Sequence, residues 1–151
     1  MSALLKVAEL KAMRVVVTDV VLEESVHQRL AAAEAASTGL RTALAKAAKV
    51  FKDEDLGFYI PDPANAATGW RGELVQIFEI WPTDGEDARE ALFREASRRA
   101  PARAAENGSA IGSRDASIWL SVVRIAGEST VDDVIFVSSN TKDFAGSDAG
   151  I

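Results

Sequence analysis

The chain has 151 residues, of which 48% are hydrophobic and 26% charged, with a net charge of -6 and no cysteine. That length suits one domain with a real core, and the acidic balance excludes a broad basic coat for nucleic acid, though not a local basic patch beside an acidic site. Without cysteine there is no disulfide, thiolate metal site or thiol nucleophile, and no apolar run reaches membrane-spanning length, so a cytoplasmic protein without a membrane partner is expected.

Residues 2–12 predict a short amphipathic helix, with Leu4, Leu5, Val7, Ala8 and Leu10 set among Lys6, Glu9 and Lys11. Val15 to Thr18 is a compact β-branched strand. Thr18 or Asp19 can cap a helix that runs through Leu22, Val26, Leu30 and Ala33 to about Val50, weakest at Gly39. Asp53 to Gly57 ends it, and Pro61-Asp62-Pro63 predicts a loop. Leu74 to Trp81 predicts a second strand, stopped by Pro82. Asp84 to Asp87 opens a helix with acids at its positive end, and Ala88, Leu92, Phe93 and Ala96 are expected on its buried side. Its end is basic, with Arg94, Arg98, Arg99 and, past Pro101, Arg103. Asn107 to Ser113 predicts a loop, and Asp115 opens a last helix that turns Ile118, Trp119, Val122, Ile125 and Ala126 toward the core. Val134 to Val137 is a continuous apolar run, expected as a parallel strand buried on both faces, and the chain turns polar at Ser138.

Strands alternating with helices imply an α/β fold: a three-layer α/β/α arrangement over residues 1–151 as a single domain, with a mostly parallel sheet. A helix that follows a strand starts at the carboxyl edge of the sheet, where open α/β folds bind ligands. Glu23 and Glu24, Asp115, and Asn140 with Asp143 are expected to send oxygen ligands to that edge.

Three blocks carry a resemblance. Gly112-Ser113-Arg114-Asp115-Ala116-Ser117-Ile118-Trp119-Leu120-Ser121-Val122 and Phe136-Val137-Ser138-Ser139-Asn140-Thr141-Lys142-Asp143-Phe144 resemble the C-terminal half of a PIN-domain protein. Val16 to Glu24 is similar to that family's second strand and the acidic helix start after it. The resemblance implies a nuclease that hydrolyses RNA phosphodiester bonds at a carboxylate cluster holding Mg²⁺ or Mn²⁺, because hard cations take oxygen ligands and activate water. It implies Glu24, Asp115 and Asp143 as catalytic carboxylates, with Asn140 joining them as a metal ligand. Arg99, Arg103, Arg114, Lys142, Ser138 and Thr141 are the expected nucleic-acid contacts. Expected partners are RNA, an antitoxin-like protein and a second copy of the chain. The glutamate stays open: a helical wheel through Leu22, Val26 and Leu30 brings Glu23 nearer the buried side, whereas the family pattern points to Glu24.

The family's first aspartate lies on an N-terminal strand, and this chain begins at Met1 in what reads as the following helix. The expectation is therefore a PIN-like fold with its N-terminal strand missing, either part of a longer nuclease or a truncated, inactive module that binds RNA or protein. A flavodoxin-like receiver or nucleotide-binding fold shares the alternation, but the chain has neither a glycine-rich phosphate loop after its first strand nor a paired acidic strand end. Read singly, the same residues have ordinary roles. Asp115 is a first-turn carboxylate, His27 a surface histidine, the arginine run a solvated helix end, and Trp119 a core residue.

Overall fold

The computed structural model describes residues 14–51, 59–104, 110–128 and 134–138. Within them lie four helices and four short strands: β1 (Val16–Thr18), α1 (Asp19–Val50), α2 (Pro63–Ile77), β2 (Glu79–Trp81), α3 (Gly85–Ser97), β3 (Arg103–Ala104), β4 (Ala110–Ile111) and α4 (Ser113–Glu128). β1 and β2 form a two-stranded parallel sheet, and β3 pairs antiparallel with β4, Arg103 opposite Ile111. The chain divides into two compact units, Met1–Val17 with Val21–Ile80, and Thr18–Val20 with Trp81–Ile151.

In the first unit, the Glu79 N–H donates to the Val15 carbonyl at 3.1 Å, and the Arg14 guanidinium forks onto the Glu79 carboxylate at 2.8–3.1 Å. That carboxylate raises the Arg14 pKa, first by hydrogen bonding and then by its charge. α1 runs unbroken for 32 residues, past Gly39, in an alanine-rich sequence of high helix propensity. Only Leu22 is fully buried along it. Trp70 of α2 donates its indole N–H to Ser25 Oγ at 2.9 Å, while the Arg29 guanidinium lies 5.4 Å from the ring centre.

The segment expected as a strand from Leu74 is instead the end of α2. Asp62 caps the helix by accepting from the Ala64 N–H at 3.0 Å, and Pro63 occupies its first position, where a missing N–H costs nothing. The proline loop is thus a helix start. Ala67 and Leu74, seven residues apart, supply the buried stripe, and only Glu79–Trp81 remains as strand.

In the second unit, α3 and α4 pack as an antiparallel pair. Arg124 Nε donates to Asp87 Oδ2 at 2.9 Å at one end, and the Ser113 N–H donates to Glu95 Oε2 at 2.7 Å at the other. Between these ties the buried residues are all small: Ala91 on α3, and Ala116, Ser117 and Ser121 on α4. The expected stripe of α3 is therefore wrong by one helical step. Ala88, Leu92, Phe93 and Ala96 are exposed, Leu92 by 62%, because the packed side is set by Asp87, Ala91 and Glu95. Trp119 is likewise not core: it is 37% exposed and meets Phe136 edge to face at 5.8 Å. Gly112 enters α4 with φ of 116°, and a Cβ there would lie 2.8 Å from Ala102 Cα, so only glycine fits this turn.

Residues 134–138 form no strand among the described residues, and Val134, Ile135 and Val137 are exposed rather than buried on both faces. Part of the loop expected from Asn107 is the β3–β4 pairing. The helix expected over residues 2–12 lies outside the described residues.

Candidate active site

Asp115 is half-buried in the first turn of α4, one residue beyond the exposed Arg114. Its place follows from the chain locally. Gly112 turns the backbone, the Ala116 N–H donates back to the Gly112 carbonyl at 2.8 Å, and the helix begins at Ser113. A second carboxylate attends the same turn. Hydrogen bonds from the Ser113 hydroxyl and N–H hold the Glu95 carboxyl below its ordinary value, against a smaller opposing effect of burial. Glu95 thereby caps α4 from a neighbouring helix, leaving two acidic side chains at the positive end of its dipole.

Another carboxylate sits directly after β1. Asp19 Oδ1 accepts from the Thr83 hydroxyl at 2.6 Å, the Thr83 N–H at 3.1 Å and the Val20 N–H at 2.8 Å. Burial pushes its pKa up, but these hydrogen bonds together outweigh burial and hold the carboxyl below its ordinary value. The link fixes the turn between β2 and α3, which Arg124 grips as well by donating to the Pro82 carbonyl at 3.1 Å. Its bond to Asp87 raises the Arg124 pKa, opposed by burial and aided by the charges of Asp87, Glu128 and Asp84.

Of the two glutamates at the start of α1, Glu23 is exposed and paired with Arg71, while Glu24 is half-buried and accepts from Gln28 Nε2 at 3.1 Å. The order of burial is the reverse of the helical-wheel expectation, because α2 reaches Glu23 with a long arginine instead of covering it. Glu24 belongs to the first compact unit and Asp115 to the second. Asn140, Thr141, Lys142 and Asp143 lie outside the described residues; Ser138, just before them, is half-buried. Arg99 is exposed and bonds Glu90 at 3.0 Å and Ser97 at 3.2 Å, and Arg103 belongs to β3. His27 is exposed. Among the described residues no group of three or more His, Asp or Glu side chains is placed to hold a metal ion.

Sequence reasoning missed Glu95, Arg124 and the reach of Asp19. Glu95 reads as one of several charges on an amphipathic helix, and the Asp19–Thr83 bond joins positions 64 residues apart. The single local signal is Pro82-Thr83-Asp84, a hydroxyl and a carboxylate packed into a tight strand-to-helix turn.

A family profile described as a PIN domain matches residues 1–144. No curated protein and no solved structure matches the chain. PIN domains are a nuclease-type family, generally dependent on divalent metal. No helix among the described residues is long and apolar enough to cross a membrane.

Proposed function

The chain belongs to the PIN-domain family, and from that premise we propose that it is a metal-dependent endoribonuclease. In this reading it is a single three-layer α/β/α domain that hydrolyses RNA phosphodiester bonds at an acidic Mg²⁺ or Mn²⁺ site. The observation that carries the reading is Asp115, a half-buried carboxylate in the first turn of α4, in a chain matched to the family across that helix.

Glu24, Asp115, Asn140 and Asp143 would hold the metal. Every donor in this set is oxygen, which fits a hard divalent cation. When bound, such an ion supplies an activated water and offsets charge on the scissile phosphate. The chain's own residues would do the rest. Arg99, Arg103, Arg114 and Lys142 would contact backbone phosphates, and the hydroxyls of Ser138 and Thr141 would hydrogen-bond the strand. An antitoxin-like protein is the proposed macromolecular partner besides RNA, and the cytoplasm the proposed compartment.

The test is cleavage of single-stranded RNA with Mn²⁺, run beside calorimetric titration of Mn²⁺. Asp115→Asn should lower the cleavage rate on the order of 100-fold, the size expected for weakened stabilisation of transition-state charge, and should weaken Mn²⁺ binding. Unchanged cleavage would remove Asp115 from the site. Mn²⁺ binding without cleavage by the wild type would leave a non-catalytic module that binds RNA or protein.

A further inference from the structure

The first residue flanking α4 carries no side chain to cap it. Gly112 accepts the first bond of the helix, from the Ala116 N–H at 2.8 Å, and a Cβ at Gly112 would lie 2.8 Å from Ala102 Cα. The serine or aspartate that usually takes the free N–H groups of a first turn is therefore excluded. Glu95 supplies the missing acceptor from α3. Its Oε2 takes the Ser113 N–H at 2.7 Å, and the Ser113 hydroxyl donates to the same carboxylate. Asp115 belongs to that turn. It stands two residues beyond Ser113, about 200° around the helix. Ser113 and the buried Ser117, one turn apart, share the side that packs on α3, and Asp115 leaves the turn on the other.

We propose that Glu95 is a positioning residue for Asp115, a role that rests on the nuclease reading, in which Asp115 holds the metal. By bonding Ser113, Glu95 fixes where the first turn of α4 stands against α3, and the Asp115 carboxylate is carried on that turn. α4 is tied to α3 at two places, by Arg124 to Asp87 near its end and by Ser113 to Glu95 at its start. Between the ties only Ala91, Ala116, Ser117 and Ser121 are buried. Such small side chains set the separation of the helices but form shallow ridges, so register along the axis falls to the two polar ties. The tie at the start is the one beside Asp115. Helix ends fray, and a ligand must be held to within about 0.5 Å. Without Glu95 the far tie and the buried face remain. The chain then still folds, while the turn that bears Asp115 loosens.

The experiment compares Glu95→Ala, Glu95→Gln and Asp115→Asn with wild type in the full chain. Glutamine keeps an oxygen that can accept the Ser113 N–H, and alanine keeps none. In the metal-free protein, amide exchange at Ser113 should quicken in Glu95→Ala and stay slow in Glu95→Gln. Calorimetric Mn²⁺ affinity should fall about tenfold in Glu95→Ala, the size seen when a group supporting a ligand is lost. In Glu95→Gln it should stay within about threefold of wild type, since only the charge assistance of the bond is lost. Added to Asp115→Asn, Glu95→Ala should cost no further affinity, because it acts through Asp115. A lower urea midpoint with Mn²⁺ affinity unmoved would make Glu95 a structural cap alone and overturn the proposal. A loss in Glu95→Gln as large as in Glu95→Ala would also overturn it, by making the charge itself the contribution. In both cases weakened binding by Asp115→Asn leaves the nuclease reading standing. Wild type that binds no Mn²⁺, or Asp115→Asn that binds it equally well, would overturn that reading and the positioning role with it.

Discussion

The two helix pairs of this protein are held by opposite means. The polar and ring contacts between α1 and α2 use mostly long side chains: Glu23 with Arg71, Trp70 with Ser25, and Arg29 over the Trp70 ring. α3 meets α4 through small side chains, with Ala91 at 1% exposure and Ala116 and Ser121 at 0%, and keeps its polar contacts for the two ends. Long side chains tolerate a range of interhelical distances because each can re-aim its tip. Small ones fix a single close distance, since backbone lies directly behind them. The second pair carries Asp115, so if Asp115 is the proposed metal ligand, the rigid pairing belongs to the helix that must hold it in place.

The sharpest way to break this contrast is to enlarge the small side. Ala91→Leu should destabilise by about 3 kcal/mol, the upper end for overpacking, because neither helix backbone can yield locally. Urea unfolding checks this; a loss below about 1 kcal/mol would mean the pair is looser than its burial implies. Asp19→Ala comes next, at about 2 kcal/mol, since it strands the Thr83 hydroxyl and N–H together. It also carries a pH signature. The Asp19 carboxyl titrates lower folded than unfolded, so its stabilisation is fully present above its ordinary value of 3.8 and is lost as pH falls through the lower folded value. Melting temperatures of wild type and Asp19→Asn should therefore converge as pH falls toward that range; an unchanged gap at low pH would show that Asp19 contributes nothing through its charge.

The α1–α2 and α3–α4 regions also differ in how far the sequence announces them. α1 was readable from end to end, as was the start of α3 at Asp84, because propensity and capping are local. The α/β pattern and the family were readable too, carried by the blocks around Asp115 and Val137. The packed faces were not. A hydrophobic stripe through Leu92 and Phe93 outweighs a lone Ala91 on any periodicity count, yet close approach selects the alanine. Trp119 misled in the same way, its size suggesting core where Ser117 and Ser121 are buried instead. The proline before α2 read as a loop because a proline at a helix's first position and a proline in a turn look alike in sequence.

A finer probe asks whether the close pair is optimised or merely small. Ser121 Oγ is fully buried and has no hydrogen-bond partner among the described residues. A desolvated hydroxyl with nothing to bond is a cost, and serine is also the poorer helix former. Ser121→Ala should therefore stabilise the protein by about 1 kcal/mol, seen as a higher urea midpoint at unchanged slope. Destabilisation would mean the hydroxyl is bonded in solution.

The smallest effect is expected on the polar side. The Glu23–Arg71 pair has side chains 60% and 41% exposed, so water screens it and two long side chains must be ordered to form it. Glu23→Gln should change stability by no more than about 0.5 kcal/mol. The same substitution bears on function, because Glu23 and Glu24 are adjacent and equally acidic. If Glu24 is the metal ligand, Glu23→Gln leaves RNA cleavage unchanged while Glu24→Gln lowers it together with Mn²⁺ affinity. The reverse pattern would make Glu23 the ligand. It would also require the Arg71 pair to open when metal binds, since a carboxylate cannot be fully committed to both cations at once.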